Sequence, residues 1–187
     1  MNAISREDMG KLVLYIATSL DGYIARPDGD INWLEQVPNP NQIDHGYQAF
    51  LDSIGALVMG RKTYEKILSF GIDWPYPGLP CLVASQSPSV LVSSPDTQVV
   101  GAGISEAVLH WKATLEKDIW LVGGGQLLQH FLREKLVDEL VLTLVPITLG
   151  EGIPLFPSSG MEQEWELGAV VPFETGLVNL SYSRRPS

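Results

Sequence analysis

The chain has 187 residues, 45% of them hydrophobic and 18% charged, with a formal net charge of −10. That size and composition suit one compact domain with a sizeable core, and the acidic balance argues against nucleic acid or an anionic membrane as a partner. No apolar run reaches bilayer length, the first residues hold no secretory core, and the single Cys81 excludes a disulfide within the chain, so a cytoplasmic protein is expected.

Residues 1–10 are polar and read as a flexible N-terminus to a single domain of residues 11–187. Residues 11–18 (KLVLYIAT) are apolar and β-branched, which predicts a buried strand. The turn Ser19-Leu20-Asp21-Gly22 ends it, and Tyr23-Ile24-Ala25 is a short extended piece. Residues 38–41 (PNPN) break the chain ahead of a helix whose Ile43, Tyr47, Phe50, Leu51 and Ile54 form one apolar face. Asp44 falls in its first turn, on the border of that face, where spacing alone favours a role complementing the helix dipole.

Residues 56–59 form a second strand, and Gly60-Arg61-Lys62-Thr63-Tyr64-Glu65 opens the next helix. Two cations at a helix start oppose its dipole unless an anion comes between. Gly60, Arg61, Lys62 and Thr63 together offer close approach, positive charge and a hydroxyl, the parts a phosphate monoester needs. Residues 80–84 form a third strand that runs into Ser85 and Gln86. Residues 89–92 and 97–100 read as short edge strands, and Ser105 as the cap of a helix.

Residues 119–132 (IWLVGGGQLLQHFL) are the centre of the chain. An apolar strand ends at Val122 and enters a helix through Gly123, Gly124 and Gly125, followed by Gln126 and Leu127. Bare glycines at a helix start let a phosphate approach free N–H donors, so this junction reads as a pyrophosphate cradle. Residues 138–145 are a further strand, and residues 146–156 an irregular loop with glycines on both sides of Glu151. Residues 165–171 and 177–182 predict a closing hairpin about Thr175-Gly176. The layout gives an α/β fold with a mostly parallel sheet and an antiparallel C-terminal edge, and ligands in such sheets sit at the strands' carboxyl ends. His45, His110 and His130 are scattered without ligand spacing, so no metal site is expected.

Four segments, SLDGYIA (19–25), VMGRKTYE (58–65), VGGGQL (122–127) and VPITLGEG (145–152), resemble the dihydrofolate reductase superfamily, in that family's order. The branch they resemble is the riboflavin-biosynthesis reductase domain (RibD C-terminal) and its stand-alone bacterial relatives. The resemblance implies a dihydrofolate-reductase-like three-layer fold and an NADPH-dependent reductase of a small heterocyclic or carbonyl/imine substrate, acting in the manner of dihydrofolate reductase or of the riboflavin-pathway reductase of a ribosylamino-pyrimidine. The alternative is a non-catalytic NADP(H)-binding module. By motif match, Gly60, Arg61, Lys62 and Thr63 hold the adenosine side and its phosphates, with Ser85 and Gln86 along the ribose. Val122, Gly123, Gly124, Gly125, Gln126 and Leu127 cradle the pyrophosphate, and Ala17, Ile24 and Ala25 pack on the nicotinamide end. Tyr15, Trp33, Tyr47 and Glu151 are expected in the substrate half. The chain departs from folate reductases after Trp33, where no folate-type acid follows within a few residues except Glu35. Asp44 is the expected proton donor, through burial that would raise its pKa. The branch is often dimeric, so a homodimer is expected beside the small-molecule substrate.

Overall fold

A computed structural model describes residues 9–87, 89–158 and 162–185. Most of the N-terminal segment expected to be flexible therefore lies outside the described residues. Gly10, at its end, is buried, and its N–H donates to the Lys112 carbonyl.

Among the described residues, ten strands and four α-helices follow one another, with a 3-10 turn at Asn32–Gln36. They are β1 (Leu12–Ser19), β2 (Tyr23–Ala25), α1 (Tyr47–Ser53), β3 (Ile54–Gly60), α2 (Arg61–Leu68), β4 (Cys81–Ala84), β5 (Thr97–Val100) and α3 (Ile104–Thr114). Then come β6 (Asp118–Gly123), α4 (Gly125–Arg133), β7 (Glu139–Val145), β8 (Ile153–Pro154), β9 (Trp165–Pro172) and β10 (Val178–Arg184). The eight-stranded sheet has the order β5-β4-β3-β6-β1-β7-β10-β9, and β2 pairs separately with β8. The first six strands in that order are parallel, whereas β10 runs antiparallel to both β7 and β9.

The layers follow from the two-residue period of each strand. Leu12, Leu14, Ile119 and Leu121 face one side and form a core with Val108 of α3 and Leu128 and Phe131 of α4. Tyr15, Leu57, Met59 and Trp120 face the other and pack with Phe50 of α1 and Tyr64 and Ile67 of α2. A third cluster, Trp33, Val145 and Leu177 with Ala17 beside it, closes the end of the sheet where β1 and β7 finish.

Three expected elements differ. Residues 89–92 form no strand. Leu91 is 82% exposed, so nothing rewards extending that run. The helix expected to include Ile43 begins only at Tyr47, because His45 and Gly46 both take positive φ, at 55° and 83°. Ser105 does not cap α3 but sits inside it, and its hydroxyl meets His130 Nε2 at 2.9 Å. Among the described residues no helix is long and apolar enough to cross a membrane.

Candidate active site

Chain order reverses about β1: the path runs outward through β3, β4 and β5, and after β6 it crosses to β7 on the other side. Such a reversal opens a crevice at the strands' carboxyl ends. Gly60 ends β3 there, Gly123 ends β6, and Ser19 ends β1.

The glycines divide into two kinds. At Gly60, the nearest protein atoms to an added Cβ are Gly123 O and Gly124 N, both at 3.8 Å. At Gly124 the nearest is Thr63 Oγ1 at 3.6 Å, and at Gly123 it is Ile16 Cδ1 at 3.5 Å. Nothing in the protein needs the space that side chains would take at these three positions. Gly123 also has φ 136°, which a side chain would oppose. Gly125 differs. Its added Cβ would lie 2.6 Å from Pro154 O and 3.1 Å from Leu155 O, so its bareness serves packing against the β8 segment. The bare part of the glycine run is thus Gly123-Gly124, faced by Gly60 and Thr63.

Leu128 N–H donates to Gly124 O at 3.0 Å as the first bond of α4, leaving the amides of Gly125, Gln126 and Leu127 ahead of that ladder. Gln126 is exposed, Val122 is half-buried and Leu127 is buried. A bare notch beside a hydroxyl and amides that have no partner among the described residues offers donor chemistry suited to a pyrophosphate. Arg61 is half-buried and approaches Glu65 at 3.8 Å, whereas Lys62 is exposed. Gln86 is exposed, but the Ser85 hydroxyl donates to Ser87 O at 3.0 Å and accepts from Ser87 N–H at 3.1 Å, so it shapes its own loop.

Beside the crevice, against the start of α4 at Gly125, β2 and β8 form a two-stranded roof. Ile24 and Ala25 belong to it, Ala25 being buried. Gly152 fits under it only as glycine, since an added Cβ would lie 2.3 Å from Ala25 O. Glu151, on the adjoining loop, is exposed.

On the α1 side of the sheet, Tyr15, Tyr47, Phe50 and Trp120 form an aromatic cluster. Tyr15 stacks on Phe50 at 4.3 Å between ring centroids, and Tyr47 stands 6.3 Å from Tyr15. Burial raises the pKa of both tyrosines. The Tyr15 hydroxyl faces Thr143 and Asn179, which the sequence reading missed. Thr143 Oγ1 donates to Asn179 Oδ1 at 2.8 Å, and Asn179 Nδ2 donates to the His45 carbonyl at 2.8 Å. The available signal was one threonine in the otherwise apolar run of β7. Trp33 is 1% exposed and packs beside Ala17, and its Nε1 has no partner among the described residues. Such a buried donor is what a bound ligand or water satisfies.

Asp44 departs from expectation. It is exposed, not buried. Its Oδ1 accepts the Gly46 N–H at 3.0 Å and its Oδ2 the Gln48 N–H at 3.1 Å, and these bonds hold its carboxyl below the usual range. The expected direction of the pKa shift is therefore reversed, and Asp44 caps α1 as a carboxylate. On α4, His130 resembles a relay but is not one: the same Nε2 meets both Ser105 and Glu134, the latter at 3.6 Å.

Residues 79–179 match the RibD C-terminal domain family. The uncharacterized protein YwjB of Bacillus subtilis is 35% identical over 176 residues, spanning 93% of this chain and 98% of YwjB. A solved protein of Shewanella sp. PV-4, provisionally assigned to riboflavin biosynthesis, is 34% identical with a TM-score of 0.83, over 94% of this chain and 99% of that one. Dihydrofolate reductase from Enterococcus faecalis, complexed with NADP(H) and RAB-propyl, superposes with a TM-score of 0.69 at 22% identity, over 95% and 98% of the two chains. The fold is dihydrofolate-reductase-like, and the chain belongs to the RibD C-terminal domain family.

Proposed function

We propose that the protein is an NADPH-dependent reductase of a small heterocyclic or carbonyl/imine substrate. The observation that carries this reading is the unfilled notch of Gly60, Gly123 and Gly124 beside Thr63 and the free amides of α4. Those amides would hold the pyrophosphate, and Arg61 and Lys62 the phosphate on the adenosine side. Ile24 and Ala25 would cover the nicotinamide end, with Ala17 beneath. When bound, the reduced nicotinamide supplies a hydride.

Tyr15, Tyr47 and Trp33 would flank the substrate, and Glu151 would reach it from the roof loop. Tyr15 keeps its proton across neutral pH and holds it at Oη beside Thr143. Asp44 is ionised at neutral pH and brings charge, not a proton, to the mouth. That feature favours a second reading, a non-catalytic NADP(H)-binding module. NADPH oxidation with dihydrofolate, pteridine and ribosylamino-pyrimidine substrates separates the two: binding without turnover on any of them supports the module.

The cofactor reading is tested by titrating NADPH and NADH against the protein and Arg61→Ala. NADPH is expected to bind more tightly, and the substitution to weaken NADPH much more than NADH. Equal affinity for both in the parent protein would overturn the assignment. A homodimer is also proposed. The edge strand β9 leaves Leu167 and Val170 each 52% exposed, an apolar surface suited to a second copy. Sedimentation at micromolar concentration is expected to give twice the monomer mass, and a monomer there counts against it.

A further inference from the structure

Asp21 sits in the turn after β1, at the open end of the crevice, and the chemistry above gives it no task. Its carboxylate is nevertheless the most heavily bonded group at the roof. Oδ1 accepts the Ser19 hydroxyl at 2.6 Å and the Leu149 N–H at 3.1 Å, and Oδ2 accepts the Gly150 N–H at 2.7 Å. Ser19 Oγ in turn accepts the Tyr23 N–H at 2.9 Å, so one hydroxyl joins the carboxylate to the start of β2.

The same seam is laced by backbone. Leu20 N–H donates to Ile147 O at 2.8 Å, Leu155 N–H donates to Gly22 O at 2.9 Å, and β2 pairs with β8. At its far end, β8 rests on the first residue of α4, because Pro154 O occupies the space beside Gly125, the residue that follows the Gly123-Gly124 diglycine. An unbroken path of contacts therefore runs from Asp21 through the roof to the start of α4.

We propose that Asp21 is a positioning residue: its carboxylate latches the loop of residues 146–152 to the turn after β1, holding the roof against the start of α4 beside the diglycine and so setting how long a nicotinamide dinucleotide stays bound. The inference rests on the cofactor reading above. Asp21 would act through the two backbone amides that it receives. A carboxylate suits this place because two N–H groups from neighbouring residues arrive at its two oxygens. An asparagine has one accepting oxygen, and its amide nitrogen would oppose a backbone donor.

The test is Asp21→Asn, nearly isosteric, with Asp28→Asn as control, since among the described residues Asp28 accepts only the Asp30 N–H in the neighbouring turn. Hydrogen exchange of the ligand-free protein reads the latch directly. Exchange at Leu149 and Gly150 is expected to speed up by about tenfold or more in Asp21→Asn, the scale of losing one charge-assisted hydrogen bond. Stopped-flow fluorescence with NADPH reads the consequence. Dissociation is expected to quicken by about the same factor, with association and melting temperature little changed, since the opening is local. The control is expected to change neither. Unchanged exchange at 149 and 150 overturns the latch, and faster exchange with unchanged NADPH release overturns its link to the cofactor. A parent protein that binds no NADPH overturns the cofactor reading and this inference together. Ser19→Ala, which spares both amide contacts, is expected to give an intermediate effect, and an effect larger than that of Asp21→Asn would also overturn the proposal.

Discussion

Gly125 and Gly60 are both glycines at a strand–helix junction of the crevice, yet an added methyl meets close backbone oxygens at one and nothing nearer than 3.8 Å at the other. In Gly125→Ala the new carbon would sit 2.6 Å from Pro154 O, 3.1 Å from Leu155 O and 3.3 Å from Pro157 Cδ. The nearest two are backbone oxygens, which cannot swing aside, so the β8 segment must move. Overpacking of this kind costs about 1–3 kcal/mol. For a chain of this size each kcal/mol lowers the melting temperature by about 2–4 °C, so a fall of roughly 2–12 °C is expected.

In Gly60→Ala the new carbon meets nothing nearer than 3.8 Å, and φ of −75° suits any residue. Stability is expected to stay within about 1 kcal/mol of the parent, since alanine also narrows the unfolded ensemble. The methyl does stand over Gly123 O and Gly124 N, so NADPH binding is expected to weaken by about tenfold or more, equivalent to about 1.4 kcal/mol. Thermal unfolding by circular dichroism and NADPH titration by fluorescence give both numbers for both variants. If Gly125→Ala melts with the parent, or Gly60→Ala binds NADPH as the parent does, the division of the glycines is wrong.

Asp138 accepts the Leu12 N–H at 2.8 Å, a close Lys112 ammonium and the Arg184 guanidinium at 3.3 Å, at the end of the sheet away from the crevice. Asp138→Ala strands the nearly buried Lys112 and is expected to cost about 3 kcal/mol in urea unfolding, with little change in NADPH affinity; a loss of affinity without a loss of stability would contradict that separation. Cys81 is 1% exposed, and burial pushes its thiol up to about 12, so an aromatic disulfide reagent is expected to label it only as fast as the protein unfolds. Rapid labelling of the folded protein would refute this. Asp21 is held at about 2, chiefly by the Ser19 hydroxyl, below its ordinary 3.8. Its contribution is therefore complete above the ordinary value and is lost as pH falls through about 2. NADPH release governed by the latch is expected to be flat from about pH 5 to 8, where the carboxylate stays ionised. Release that accelerates with a midpoint inside that range would point to another group.

The strand–glycine–helix junctions were legible because each is local: an apolar run, a bare residue, then a helical period. Residue order also revealed the antiparallel hairpin, since Gly176 takes φ 86° in the turn it marks. What depended on distant partners was not legible. Periodicity put Asp44 on the edge of a helix face, but His45 and Gly46 start the helix later, and the carboxylate caps it in the open. Asp21 looked like an ordinary turn residue because the amides it receives lie 128 and 129 positions away. Gly125 belonged to the glycine run in sequence, but the carbonyls that forbid it a side chain come from residues 154 and 155.

The most direct measurement is amide chemical-shift mapping of the labelled protein on adding NADPH. Saturable shifts are expected, concentrated at Gly60, Thr63 and residues 124–127 and spreading to Ile24 and Ala25 in the roof. No change at those amides at millimolar NADPH, or shifts confined to the surface hollow of Leu132, Arg133, Phe156 and Trp165, would contradict it.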